Sequence, residues 1–423
     1  MIYTRIENKQ GLTMEAAKAA FMEGLAKLGK RERVLLIPPD ITRIHGLGGM
    51  LAVWATEFYG SAVKQILPAL GTHVPMTPKE IEVMYPGVDP SLFTVHDWRN
   101  DIVTIGTVPK EFIEEVSEGK LSYEWKAQVN KALVHGGFDL ILSLGQVVPH
   151  EVIGMANYNK NVFVGTGGAD GINKSHYLGA VYGMERIMGR TDSPVRAVLD
   201  YAEKHFAQEL PLVYALTVVG RNDHGEMKPM GLFVGDDRSC YEEAAALSLE
   251  VNFTMVPEPL EKVVVYLDPE EFRTTWLGNK SIYRTRMAIA DEGELIVLAP
   301  AVAGFGEDEE IDRLIRKYGY KGTPKVLSDV EKHKDLKDNL SAAAHLIHGS
   351  SEGRFTIRYC PGKLTREEIE EVGYEWGDLQ QMLQRYPIES LKDGWNTDAQ
   401  GERFYYISNP AIGLWAHSGR FND

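Results

Sequence analysis

The chain has 423 residues, 44% of them hydrophobic and 25% charged, and carries a formal net charge of −15. That length predicts two or three domains and that balance a packed soluble protein, while the acidic excess argues against a nucleic-acid footprint, which needs clustered Lys and Arg. Two cysteines, Cys240 and Cys360, are too few for a disulfide scaffold or a Cys-rich zinc site and fit a reducing cytosol. The N-terminal MIYTRIENKQ is polar, with no signal peptide visible. No apolar run approaches the roughly 20 residues that span a bilayer. The expectation is a cytoplasmic globular protein without membrane attachment, and an enzyme before a scaffold.

In chain order, LTMEAAKAAFMEGLAKL (12–28) predicts an amphipathic helix, because Ala17, Phe21, Leu25 and Leu28 recur at helical spacing, with Thr13 as its cap. VLLIPPD (34–40) is a short apolar strand that hands over to polar ITR, the usual layout of a site at the carboxyl end of a parallel sheet. LGGMLAVWATEFYGSAV (47–63) reads as helix. KQILPALGTHVPMT gives a short strand, then Gly71-Thr72-His73. MTPKEIEVMYPG restarts a helix at Thr77 with Pro78 in its first turn. TVHDWRNDIVTIGTV mixes polar residues with a strand, WKAQVNKALVHGG reads as helix, and FDLILSLG is a buried strand. It leads into the stretch richest in chemistry, Ser143 to His176.

Beyond His176, YLGAVYGMERIMGR and SPVRAVLDYAEKHFAQ read as helices. LPLVYALTVVG and MKPMGLFVGD read as a hairpin, and CYEEAAALSLEVNFTMV as another helix. VPEPLEK (256–262) holds two prolines without periodicity and is the candidate linker. A second α/β pattern follows: VVVYLDP strand, SIYRTRMAIADEG helix, ELIVLAP strand, EDEEIDRLIRKYG helix, RFTIRYC strand and TREEIEEVGYEWGDLQQMLQRY helix. Strands alternating with helices predict two α/β domains with mostly parallel sheets and an active site in the cleft between them. The expected division is 1–258 for a catalytic and cofactor-attachment domain and 259–403 for a second α/β domain. Residues 404–423 form a C-terminal segment expected to return to the first.

Of twelve histidines, three stand out by context. His73 follows strand-Gly-Thr, His150 follows strand-Gly…Pro, and His176 follows GTGGADG. Each lies just past an apolar segment, where side chains converge on a cleft. Histidine titrates near neutral pH, so two of them flanking a substrate can each give and take a proton. Any single one is, on its own, more often structural. Asp40-Ile41-Thr42-Arg43 is either a plain turn or an anion site, since Arg makes paired bonds to carboxylate or phosphate. Lys160, between Asn159 and Asn161, is a surface lysine or an amine for covalent attachment. GTGG at 165–168 is neither a Walker loop nor G-x-G-x-x-G. There is no HExxH, no GxSxG and no Cys pair at metal spacing.

Together these residues resemble the nickel-pincer lactate racemase family of 2-hydroxy-acid racemases and epimerases. DITR at 40–43 is similar to the family's D-x-T-R, GTH at 71–73 to its first catalytic-histidine segment, and PHEVIG at 149–154 to P-H-x-x-x-G. HDWRND at 96–101 and Asn130 fall where the family has similar residues. Lys160 lies ten residues after His150, and His176 sixteen after Lys160, the spacing of the family's cofactor-attachment lysine and nickel-ligand histidine. The departures are also specific. The family's S-G-G-R-K is here Ala156-Asn157-Tyr158-Asn159-Lys160. Its N-x-Y-Q-x-x-K is Ser281-Ile282-Tyr283-Arg284-Thr285-Arg286-Met287, with Met where a substrate-contacting lysine stands.

The resemblance implies a cofactor, a pyridinium-3,5-bisthiocarboxylic acid mononucleotide carrying nickel, covalently attached through Lys160 as a thioamide, with His176 as metal ligand. Soft sulfur and imidazole suit square-planar nickel. It implies His73 and His150 as paired acid–base groups in a hydride-transfer inversion at C2, and Asp40, Thr42 and Gly71 as cofactor contacts. Arg43, Tyr283, Arg284 and Arg286 are then the substrate contacts. Cofactor-making and nickel-inserting proteins are the implied partners, with a small 2-hydroxy acid as substrate. The two arginines at 284 and 286 predict a polar sugar acid epimerised at C2, with lactate or another short acid as the alternative. A non-catalytic cofactor or sugar-acid binder and a zinc-dependent lyase or hydrolase are the competing classes.

Overall fold

The computed structural model describes the chain except Asn8, Ile412, Asn422 and Asp423. Two compact units emerge. The first comprises Met1–Leu178 with Met188–Asn252, the second Gly179–Ile187 with Phe253–Asp423. Among the described residues no helix is long and apolar enough to cross a membrane.

The first unit is built on a six-stranded sheet. Its order is Tyr3–Ile6, Met227–Gly235, Leu212–Arg221, Leu140–Gln146, Val34–Ile37 and Val63–Ile66. The last four strands run parallel to one another, and the first two pair antiparallel. VLLI forms a strand because all four side chains are buried, two on each face: Leu35 and Ile37 join one core, Val34 and Leu36 the other. The first core also gathers Trp125, Phe163 and Tyr214. The second gathers Phe21 and Trp54 from the helices Met14–Leu28 and Gly48–Tyr59. Thr13 caps the first of those helices by accepting from the Ala16 N–H, as its sequence implied.

The second unit holds another six-stranded sheet, in the order Glu375–Trp376, Thr356–Pro361, Ile289–Ala299, Leu260–Tyr266, Arg403–Ile407 and Gly394–Thr397. Only the Gly394–Thr397 edge is antiparallel. Both units are therefore α/β with parallel-rich sheets.

Several elements differ from their sequence reading. Residues 125–130 form a strand, paired antiparallel with Ile102–Val108, and only Lys131–His135 is helical. The cause is a period of two: Trp125, Ala127 and Val129 are fully buried while Lys126 between them is exposed. SIYRTRMAIADEG is helical only to Tyr283, and Ile289 already begins a strand. The long helix expected after Thr365 is two, Arg366–Glu371 and Leu379–Arg385, the second started by Asp378 accepting from the Gln381 N–H. The linker expected at 256–262 is largely strand: Phe253–Val256 pairs with Leu414–His417, and Leu260–Tyr266 is central in its sheet. The β-branched Val263, Val264 and Val265 just past it outweigh its two prolines, and the break is confined to 257–259. Residues 404–423, expected to return to the first domain, belong to the second unit, because Phe404–Ile407 complete a strand of its sheet. Ile412, Asn422 and Asp423 of that segment lie outside the described residues.

Trp125 ties this hairpin to the helix Ala169–Tyr182. Its indole N–H donates to the Gly171 carbonyl at 3.0 Å and the Ser175 hydroxyl at 3.1 Å. Trp125→Ala should lower stability by about 3–5 kcal/mol, the usual range for deleting a buried aromatic. Urea denaturation would show this as a lower midpoint at unchanged slope.

Candidate active site

The site begins where the strand Val34–Ile37 ends. Pro38 and Pro39 carry the chain out, and Asp40 caps the 3-10 turn Ile41–Arg43. One carboxylate oxygen accepts from the Thr42 N–H at 3.2 Å and the Thr42 hydroxyl at 2.5 Å. The other lies 2.5 Å from His73 Nδ1. Thr42 in turn accepts from Arg43 Nη1, through its hydroxyl at 3.0 Å and its carbonyl at 3.1 Å. Burial alone would raise the Asp40 pKa, but the facing His73 imidazole, with Arg43 and the Thr42 bonds, brings it down to about 2. The result is one chain of bonds, His73–Asp40–Thr42–Arg43, around a buried ionised carboxylate.

His73 reaches Asp40 because Gly71 turns the backbone. Gly71 has φ +56°, a value that favours glycine, and its N–H donates to the Gly165 carbonyl at 2.8 Å. That bond joins the histidine loop to the π-helical turn Asn161–Gly165, which follows Lys160. His150 is buried on a two-residue strand, Pro149–His150, paired with Gly154–Met155. Its Nδ1 accepts the Val152 N–H at 3.1 Å, which assigns the proton of the neutral ring to Nε2. The Glu151 carboxylate lies 3.5 Å from Nδ1.

Lys160 is half-buried beyond the strand Leu140–Gln146. Asn161 secures it there, donating to the Leu144 carbonyl at 3.2 Å and the Ser143 hydroxyl at 3.3 Å. Gly145 is required at the strand end because a Cβ would sit 2.1 Å from the Asn157 amide nitrogen. Burial, followed by the charge of Arg43, lowers the Lys160 pKa to about 8, against the pull of Glu151 and Asp40. His176 is half-buried on the helix Ala169–Tyr182, with Nδ1 2.7 Å from the Ile172 carbonyl. Burial, with the neighbouring charge of Lys160, lowers its pKa to about 4. Its ring is neutral, donates from Nδ1, and presents the Nε2 lone pair. The loop before this helix is held by His96, whose Nε2 lies 2.9 Å from the Gly167 carbonyl while Nδ1 lies 3.0 Å from the Asn130 amide.

Residues 15–187 match the family model described as the lactate racemase N-terminal domain. That match covers 173 of the 423 residues and includes DITR, GTH, PHEVIG, Lys160 and His176. Among solved structures, the chain is similar to a Thermotoga maritima protein at 24% identity and TM-score 0.78, over 95% of this chain and 99% of that one. It is also similar to the lactate racemase apoprotein from Thermoanaerobacterium thermosaccharolyticum, at 17% identity and TM-score 0.68, over 98% of this chain and 94% of that one. Those two likenesses show a shared fold. No curated protein matches the chain.

Asp40, Thr42, Arg43, Gly71, His73, His150, Lys160 and His176 all lie within the first unit. Asp40 and Thr42, expected to orient Arg43 or the cofactor, bond to His73 and Arg43. Tyr283, Arg284 and Arg286 lie in the second unit, and all three are buried. Tyr283 meets the ring of His348 edge-on. Arg284 donates to the Gly413 carbonyl at 3.1 Å. Arg286 donates to Glu185 at 2.7 Å and to the Ser350 carbonyl at 3.1 Å. The sequence reading missed Arg196, which is wholly buried and holds the carbonyls of Met155 and Asn157 just ahead of Lys160. Nothing in PVRAVLD separates it from a solvated helix arginine. Asn159 was the available signal, since a buried amide between Tyr158 and Lys160 needs polar partners.

Because Asp40 titrates lower in the folded chain than its ordinary 3.8, its ionisation contributes stability above that value. The contribution is lost as pH falls from about 4 towards 2. It is on the order of 2 kcal/mol. Asp40→Asn should therefore flatten the acid limb of the stability curve over that window. Urea unfolding of variant and wild type at pH 6 and at stepped lower values would show the difference.

Proposed function

We propose that this chain is a member of the lactate racemase family, a racemase or epimerase that inverts C2 of a 2-hydroxy acid using a nickel-pincer nucleotide attached to Lys160. The observation that carries the proposal is the state of His176. A neutral imidazole that donates its Nδ1 proton to a backbone carbonyl and offers Nε2 is in the form a metal ligand requires. Among the described residues no three His, Cys, Asp or Glu side chains group closely enough to hold a metal by themselves. A metal at His176 therefore needs donors from outside the protein, and a sulfur-bearing nucleotide supplies them. Lys160 fits the attachment role, because an amine held at about 8 is partly neutral, and so nucleophilic, near physiological pH.

When bound, such a nucleotide supplies a reversible hydride acceptor for C2, whose hydrogen is too weakly acidic for direct removal. The chain's own residues handle the proton and the carboxylate. His73 directs Nδ1 at Asp40, so its Nε2 is the acid–base atom towards the substrate hydroxyl. The Asp40 carboxylate stabilises the imidazolium formed as His73 takes that proton. His150 is the acid–base group for the opposite face, which inversion requires. Arg43, aimed by Thr42, is the carboxylate partner. Arg284 and Arg286 have partners inside the second unit, so a preference for sugar acids over lactate no longer rests on them. The substrate we propose is the 2-hydroxy-acid class, and a kcat/KM comparison of lactate, malate and gluconate reads its side-chain preference.

In chain coexpressed with cofactor-making proteins, intact mass should show an adduct of several hundred daltons that Lys160→Ala abolishes. His176→Ala should keep the adduct and lose nickel, read by metal analysis; equal nickel in the two proteins would overturn the ligand assignment. His73→Ala and His150→Ala should each slow turnover by roughly 10²–10⁴-fold in both directions.

A further inference from the structure

Lys160 follows a backbone segment that ordinary residues do not adopt unaided. Asn157 has φ +68° and Tyr158 φ +59°, two consecutive left-handed residues without glycine. Something must hold them. The Asn157 side chain accounts for one bond, accepting the Tyr158 N–H at 2.8 Å. The rest converges on Arg196.

We propose that Arg196 is the positioning residue for Lys160, a buried guanidinium that grips the segment 155–159 and so fixes the direction in which the lysine leaves it. The proposal rests on the reading of Lys160 as the attachment amine. Arg196 Nη2 donates to the Met155 carbonyl at 2.8 Å, and both terminal nitrogens reach the Asn157 carbonyl, at 3.3 and 3.4 Å. Nη1 also donates to the Asn159 side-chain oxygen. The guanidinium lies 4.2 Å from the ring centre of Tyr241 and 5.6 Å from that of Tyr158. Tyr158 is packed between Tyr241 and Tyr214. One side chain thus contacts Met155, Asn157, Tyr158 and Asn159, and the next residue is Lys160.

Both ends of the clamp are anchored. Arg196 stands in the first turn of the helix Pro194–Phe206. The Ser193 hydroxyl that caps this helix accepts from the Arg196 N–H at 3.0 Å and donates to the Ile153 carbonyl at 3.0 Å. Asn159 donates to Asp200 at 2.7 Å and to Glu203 at 2.9 Å, both on the same helix. Glu203 accepts from the Tyr214 hydroxyl at 2.6 Å. The helix therefore holds residues 153–159 from its first turn and from its middle. A planar fork with several donors can serve three acceptors set along a backbone, whereas an ammonium is a single point. Arg196→Lys keeps the charge and loses the clamp.

The experiment uses the full chain in two forms. In cofactor-free protein, acetylation of Lys160 by an N-hydroxysuccinimide ester is followed by peptide mass spectrometry across pH, with exposed Lys126 as internal reference and circular dichroism to confirm folding. In cofactor-coexpressed protein, the adduct fraction is read by intact mass. Arg196→Lys should raise the acetylation midpoint of Lys160 by about one pH unit, a roughly fivefold slower reaction at pH 8, and lower the adduct fraction about tenfold. Asn159→Ala, which leaves Arg196 its two carbonyls, should move both readouts the same way and carries the test if Arg196→Lys does not fold. A folded variant with wild-type midpoint and wild-type adduct overturns the positioning role. A shifted midpoint with no adduct on wild type supports that role and overturns the attachment reading instead.

Discussion

A carboxylate taken out of water must be met by partners or give up its charge. Asp40 is 3% exposed and stays ionised, and much of the first unit's site follows from how it is met. Its position is set by the parallel strand that ends before it. Its two oxygens face two different segments, the 3-10 turn that carries Arg43 and the loop that carries His73. That loop is pinned in turn to the turn after Lys160. Three segments far apart in sequence are thus brought together by the needs of one anion. Tyr85, whose hydroxyl donates to the Pro39 carbonyl, keeps the backbone just before Asp40 in place.

The histidines are distinguished by what each holds on its second nitrogen. His73 holds a carboxylate on Nδ1, the arrangement on which its proposed acid–base part rests. His176 holds a carbonyl, in surroundings that disfavour its protonated form, and suits a ligand that must keep its lone pair. His96 resembles His176 in bonding to a carbonyl, and burial likewise lowers its pKa, yet its other nitrogen is occupied by Asn130. It is a structural brace for the glycine loop. Three rings of one chemical type thus stand in three different settings, and the difference lies wholly in their neighbours.

Much of this was legible in the residues. Apolar VLLI followed by Asp40, and FDLILSLG followed by the lysine segment, mark strand ends by their abrupt change of polarity, and both are strand ends. The spacing among His150, Lys160 and His176 was readable because it is a property of the chain alone. Trp125–Asn130 was misread as helix because its alternating burial covers only six residues and runs straight into a real helical turn. The prolines at 257 and 259 suggested a linker, but β-branched Val263, Val264 and Val265 close behind them decide for a sheet. The resemblance implies Arg284 and Arg286 as substrate contacts, and sequence shows a charge without its counterpart. Glu185, a hundred residues earlier in the chain, is that counterpart for Arg286. Arg196 was hidden for a similar reason, since two of its three acceptors are backbone carbonyls that every residue possesses and only Asn159 offers a side chain.

The π-helical turn Asn161–Gly165 bears on how this chain can vary in length. A π turn is a helical turn with one residue more than an α turn holds. It sits between the lysine and the helix that carries His176, and Trp125 fixes that helix in rotation through Gly171 and Ser175. Each residue of α-helix advances the ring of side chains by about 100°. Losing one residue between Lys160 and His176 leaves the helix two options. It can keep its grip on Trp125 and stretch the glycine loop, or rotate and carry the imidazole round to another face. Insertions and deletions that surface loops ordinarily tolerate are thus excluded from this interval, and the sixteen-residue interval behaves as a phase relation, not merely a distance.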